Sequence, residues 1–109
     1  MANKLDQLFS ALSDPTRRAV VERLSAGPAT VSDLHAAHDM ALPSFMKHLG
    51  VLEKAGIVRS IKKGRVRTCH VEPGPLIEVQ GWLAWQREIW EDRLDRLNAL
   101  AQSLETFDD

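Results

Sequence analysis

The sequence predicts a mainly α fold built around one β-hairpin, and three observations predict it. Apolar residues recur at helical spacing near both ends of the chain. Between residues 57 and 71 that spacing gives way to two short runs rich in β-branched residues. Positive charge gathers in the same middle third. The chain has 109 residues, the length of one domain, and residues 1–109 are read as a single domain. Its 44% hydrophobic and 27% charged residues are those of a globular protein, not of a disordered one.

Leu5, Leu8, Phe9 and Leu12 fall at i, i+3, i+4 and i+7, one apolar stripe of a first helix. Ser13-Asp14-Pro15 breaks that pattern and restarts it. Asp14 is placed to cap a second helix, and Pro15 suits its first position, where a missing N–H costs nothing. Val20, Val21 and Leu24 give this helix a buried side, and Gly27-Pro28 stops it after about Ala26. Thr30, with Asp33 three residues on, resembles a capping box with a shorter acid and opens a short third helix. Its inward residues are Val31 and Leu34.

A fourth helix begins near Leu42 and tolerates Pro43 in its first turn. Phe45, Leu49 and Leu52 share one side, and Gly56 stands where a left-handed cap would close the helix. Residues 57–61 and 66–71 read as strands, joined through Lys62-Lys63-Gly64-Arg65. Pro73-Gly74-Pro75 is expected to end the hairpin. A last helix covers about residues 75–105. Within it Trp90, Leu94, Leu97, Ala101 and Leu104 are spaced 4, 3, 4 and 3, the seam of a coiled coil, beside a stripe of Trp82, Trp85 and Ile89.

The net charge of −1 conceals a segregation. Residues 41–70 hold seven basic side chains (Lys47, Lys54, Arg59, Lys62, Lys63, Arg65, Arg67) against Glu53 alone, a net of +6. Residues 71–109 hold three basic and nine acidic side chains, a net of −6. A basic middle in a nearly neutral protein points to a local anionic partner, double-stranded DNA first, although a solvated charged face would look the same.

Two short helices and a tight turn, followed by a basic hairpin, are the parts of a winged helix-turn-helix. The expected fold is therefore mainly α, a winged helix-turn-helix with a β-hairpin wing and a long C-terminal dimerisation helix. The helix-turn-helix occupies about residues 30–55, the wing about 57–72 and the last helix about 75–105. With Phe45, Leu49 and Leu52 inward, Pro43, Lys47, Gly50 and Lys54 face outward, flanked by Ser44, Met46 and His48. The expected DNA-binding residues are Ser44, Lys47, His48, Lys54, Lys62, Lys63, Arg65 and Arg67. His48 has a second reading, as a half-buried support of the helix, and Met46 is expected to pack on the domain. Arg65 has the further option of entering a minor groove.

The chain resembles the ArsR-type (arsenic-repressor-like) winged-helix transcription regulators. The resemblance rests on Ala11-Leu12-Ser13-Asp14-Pro15-Thr16-Arg17-Arg18, on Thr30-Val31-Ser32-Asp33-Leu34, and on the stretch from Lys47-His48-Leu49-Gly50 through Glu53-Lys54-Ala55-Gly56-Ile57-Val58. Gly64-Arg65 and Glu72-Pro73 also fit. It implies a homodimer paired through the first and last helices, a palindromic operator, and repression released by an effector. The expected dimer-interface residues are Leu5, Leu8, Trp90, Leu94, Leu97, Ala101 and Leu104.

The departures from the family pattern concern its metal sites and its base-reading residues. Metal sensors of the family often carry Cys-Val-Cys-Asp-Leu where this chain has Thr30-Val31-Ser32-Asp33-Leu34. Others bind zinc on the last helix, but no histidine follows His70. Redox-sensing members pair two cysteines, and Cys69 is the single one here. Leu42, Pro43, Phe45 and Met46 replace the usual polar start of the recognition helix. His35 and His38 could share a helix face as metal ligands, with Asp39 a weak third, but helix-end histidines are the plainer reading. Cys69 and His70 are neighbours on a strand and point to opposite faces, which favours a buried Cys69 over a shared metal. No metal and no cofactor is expected.

The lone cysteine suits a reducing cytosol. The longest apolar run, Trp82-Leu83-Ala84-Trp85, is too short to span a membrane, and Lys4 and Asp6 stand where a secretory leader would need an apolar stretch. A cytoplasmic location is expected, with no membrane partner. The sequence shows no Ser/His/Asp set, no paired-carboxylate pocket and no phosphate-binding glycine loop, so no enzyme is expected. The favoured function is a sequence-specific DNA-binding regulator, a homodimeric repressor. The alternatives are a sensor of a small-molecule effector on the same fold, and a protein-interaction module that never binds DNA.

Overall fold

The computed structural model describes residues 3–107. Its elements are α1 (Lys4–Leu12), α2 (Pro15–Ser25), β1 (Ala29–Thr30), α3 (Val31–Ala36), α4 (Leu42–Lys54), β2 (Val58–Lys63), β3 (Val66–Val71) and α5 (Pro73–Phe107). Two compact units divide them, one running through Val79 and the other starting at Gln80.

Local chemistry sets most boundaries in the first unit. Asn3 and Asp6 form a full capping box at the start of α1, with the Asp6 N–H donating to Asn3 Oδ1 at 2.9 Å. Asp14 caps α2 by accepting from the Arg17 N–H at 3.1 Å, and Pro15 takes the first helical position as expected. Thr30 Oγ1 accepts from the Asp33 N–H at 3.1 Å and opens α3. At the end of α4, Gly56 N–H donates to Glu53 O and Ile57 N–H to Leu52 O, both at 3.0 Å. That pair of bonds is a Schellman closure, and it requires Gly56 at φ +79°.

The two strands of the hairpin pair from Val58↔Val71 to Lys63↔Val66, which leaves only Gly64-Arg65 as the loop. Gly64 has φ +61° and Arg65 does not have positive φ, the pattern of a II′ turn. The turn is tighter than the four residues expected, because Lys62 and Lys63 belong to β2. Periodicity gave no sign of β1. It pairs antiparallel with β3 (Ala29↔Cys69, Thr30↔Thr68) and makes a three-stranded sheet in the order β1-β3-β2. The hairpin ends at Val71, just before Pro73-Gly74-Pro75 as expected, but the last helix starts earlier than residue 75: these three residues form the first turn of α5, where proline lacks no needed donor.

Leu8, Ala11, Val20, Leu24, Leu34, Phe45, Leu49, Leu52, Ile57 and Cys69 make one buried cluster that holds α1–α4 against the sheet. Each large aliphatic or aromatic member contributes roughly 1.5–3 kcal/mol of burial. Leu8 is 0% exposed, so its assignment to a dimer interface is corrected: it has no surface to offer a partner. Leu5 is half-buried, and Leu12, Val31 and Met46 pack on the edge of the cluster.

The second unit is the distal part of α5. None of its described side chains is buried. It carries i,i+4 pairs Arg96–Asp92 at 2.8 Å and Arg87–Glu91 at 3.6 Å.

Candidate nucleic-acid interface

The core side of α4 fixes its other side. Burying Phe45, Leu49 and Leu52 turns Pro43, Ser44, Lys47, Gly50 and Lys54 outward, and all five are exposed. No atom lies within 4 Å of where a Cβ on Gly50 would sit, so a nucleic-acid backbone can come close to the helix there. At the hairpin tip Lys62, Lys63 and Arg65 are exposed. Among the described residues, Lys47, Lys54, Lys62, Lys63 and Arg65 enter no ion pair, so five cations remain available to an anionic partner. Arg65 and Arg67 also line a cleft of about 350 Å³ whose opposite wall is Thr30, Val31 and Ser32.

Two of the seven basic residues are engaged within the protein. Arg67 Nη2 donates to both carboxylate oxygens of Glu53, at 2.7 and 2.9 Å. Ser60 Oγ donates to the same carboxylate. Glu53 thus ties the end of α4 to both wing strands, and Arg67 sets the wing's position as well as carrying charge. Arg59 Nε donates to Glu72 Oε1 at 2.6 Å along the outer edge of the hairpin. The expectation for Arg67 rested on charge counting, which cannot see a carboxylate fourteen residues away.

His48 lies half-buried beside the start of α2. Its Nδ1 is 3.1 Å from Arg17 Nη1 and 3.6 Å from Asp14 Oδ2. Arg17 also donates from Nε to Ala11 O at 2.7 Å and from Nη2 to Ser10 O at 3.1 Å. Burial pushes the Asp14 carboxyl up, but the Arg17 N–H, the neighbouring His48, the Thr16 N–H and the Arg17 charge outweigh it and hold it below the ordinary value. Asp-x-x-Arg across a helix start was visible in the sequence, but its target on α4 was not.

Both histidines make contacts within the domain. His35 donates from Nε2 to Met40 O at 2.7 Å, and His35 and His38 lie against the Phe45 ring with centroids at 5.4 and 5.6 Å. Among the described residues no three His, Cys, Asp or Glu side chains are grouped to hold a metal ion. Cys69 is fully buried, with Ser60 Oγ at 3.6 Å, and burial pushes its thiol up against the smaller lowering from that hydrogen bond.

On distal α5, Trp90, Leu94, Leu97 and Leu104 are each between 54% and 60% exposed, and Ala101 is exposed beside them. Arg93 lies 5.0 Å over the Trp90 ring. Trp85 is exposed as well. No described helix is long and apolar enough to cross a membrane.

A short helix pair with a basic outer face and a basic wing defines a winged helix-turn-helix transcription regulator. A family model described as a helix-turn-helix domain matches residues 12–61. The transcriptional repressor SdpR of Bacillus subtilis is 33% identical, over 56% of this chain and 68% of that protein. YuzN of the same organism, an uncharacterized HTH-type transcriptional regulator, is 34% identical over 76% of this chain and 99% of its own length. A crystal structure of an ArsR family transcriptional regulator is 58% identical and superposes with a TM-score of 0.78, covering 82% of this chain and 98% of that one. The chain belongs to the ArsR-type winged helix-turn-helix transcription regulators, a family of DNA-binding proteins.

Proposed function

We propose that this chain is a cytoplasmic homodimeric repressor that binds a palindromic operator through α4 and the β2–β3 wing. The observation that carries the reading is a set of five cations without an ion pair among the described residues, Lys47, Lys54, Lys62, Lys63 and Arg65, on one recognition helix and one wing tip. Lys47 and Ser44 contact the major groove, while the wing cations lie along phosphates and supply salt-dependent affinity. Arg67 joins them chiefly by holding the wing against α4. The seam of Trp90, Leu94, Leu97, Ala101 and Leu104 supports pairing of two chains, because a contiguous apolar face of this size is unusual on a monomer. Leu5 is the α1 residue of the expected interface that retains some surface.

Selection of bound duplexes from a randomised pool tests this reading. Enrichment of an inverted repeat, lost for Lys47→Ala, supports it. Recovery of sequences no different from the input pool contradicts it.

A second reading adds an effector. A groove of about 410 Å³ lies between α1 and α4, lined by Asp6, Gln7, Ser10, Val51, Lys54 and Ala55. A small amphiphilic molecule seated there would press on the recognition helix from the side opposite the wing tie. A thermal-shift screen of metabolites is the check: a ligand of the folded state raises Tm, and Val51→Trp abolishes the rise.

A further inference from the structure

Arg17 is the most heavily engaged cation of the first unit, yet it lies outside the cationic face of α4 and the wing. Its three donor nitrogens reach Ala11 O, Ser10 O and His48 Nδ1, which joins the end of α1, the start of α2 and the recognition helix. A guanidinium has no acceptor, so the bond at 3.1 Å fixes its own direction: Arg17 donates and His48 Nδ1 accepts. An Nδ1 that accepts carries no proton, and the neutral ring then holds its proton on Nε2. Among the described residues Nε2 has no hydrogen-bond partner, and no buried polar side-chain atom lacks one, so Nε2 opens to solvent.

We propose that Arg17 is a positioning residue for DNA binding: it selects the Nε2–H tautomer of His48 and so presents a fixed N–H donor from α4 to a backbone phosphate. The proposal rests on the DNA-binding reading above and adds to it the identity of the donor atom and the residue that sets it. Without Arg17, the nearest partner for Nδ1 is Asp14 Oδ2 at 3.6 Å, an acceptor. In the neutral ring that neighbour favours the proton on Nδ1 over Nε2, and leaves the outward edge of the ring unable to donate.

The test combines a spectroscopic signature with binding. Long-range ¹H–¹⁵N correlation spectra of the free protein read the His48 tautomer directly. The wild type shows a protonated Nε2 and a bare Nδ1, and Arg17→Met shifts the population toward protonated Nδ1. Binding of a labelled duplex taken from upstream of the gene then falls roughly three- to tenfold for Arg17→Met, the worth of one hydrogen bond. The salt slope stays unchanged, because a neutral N–H donor releases no counterion. His48→Gln, whose terminal amide can donate from the Nε2 position, keeps most of the affinity, and in that background Arg17→Met costs little more.

A wild-type spectrum with the proton on Nδ1 overturns the proposal whatever the DNA result. An equal loss from Arg17→Met with Gln at position 48 overturns it too, since Arg17 would then act through something other than the ring. If the tautomer is as stated but no duplex binds even the wild type, the DNA-binding reading fails and takes the phosphate role with it. Because His48→Gln leaves Arg17 and its α1 contacts in place, a folding defect in Arg17→Met cannot decide the result alone.

Discussion

The unit through Val79 and the distal part of α5 satisfy their apolar residues in opposite ways. In the first, Leu8, Phe45, Leu49, Leu52, Ile57 and Cys69 are fully buried, and every helix start from α1 to α3 has a side-chain cap. In the second, Trp90, Leu94, Leu97 and Leu104 stay more than half exposed, and the ion pairs among its described residues, Arg87–Glu91 and Arg96–Asp92, are local. Their charges differ too: residues 80–109 hold seven acidic side chains against three basic ones, whereas five cations without an ion pair among the described residues lie on α4 and the wing. A core that is complete within one chain can hold a DNA-reading surface rigid. An apolar seam that stays exposed gains stability by meeting a partner.

The largest expected effect separates the two regions. Leu94→Glu combined with Leu97→Glu should leave the first unit folded and convert a dimer to a monomer in sedimentation. Operator affinity should fall by about 10²–10⁴, since the second half-site then has to be found independently. A double variant that stays dimeric would break the comparison. Next comes Phe45→Ala, expected to cost roughly 3–5 kcal/mol in urea unfolding, because it removes the ring that α4 buries and that His35 and His38 lie against.

Lys47→Ala and Arg65→Ala sharpen the account of the basic face. Each should weaken operator binding by roughly tenfold, and Arg65→Ala should reduce the salt slope by about 0.9. Arg67→Met should behave differently. It breaks the tie to Glu53, so its effect should overlap with that of Glu53→Gln in a double-mutant cycle, with a coupling of about 1 kcal/mol in stability. Additive losses would place Arg67 on DNA alone.

The smallest effect is a pH dependence. The Asp14 carboxyl titrates below its ordinary value in the folded chain, so its contribution is present above the unfolded-state value and is lost as pH falls through the folded one. The stability gap between wild type and Asp14→Ala should therefore be steady near neutrality and shrink in acid. Unfolding curves taken from pH 7 to pH 3 check it, and a gap that widens in acid would reverse the sign.

What the sequence disclosed was local. Asp14-Pro15, Thr30 and Gly56 mark helix ends because capping acts within three or four residues, and Phe45, Leu49 and Leu52 follow helical spacing. What it withheld was pairing across distance. The two-residue strand Ala29–Thr30 exists only because β3 lies beside it, and no pattern of two residues announces a strand. Ala11 is buried although alanine marks no stripe, and Leu8 is core although its spacing equally suits an outer face. At the candidate site, the outward set Ser44, Lys47 and Lys54 was legible from the helix period. The partners of Arg17, Arg59 and Arg67 were not, because each lies on another element or strand.

Sedimentation velocity of a labelled duplex from the DNA upstream of the gene, titrated with the protein at several salt concentrations, tests the central claim most directly. The account predicts one complex of two chains per duplex, absent on scrambled DNA and weakened steeply by salt. Equal, weak binding to both duplexes, or a saturated complex of one chain per duplex, would contradict it.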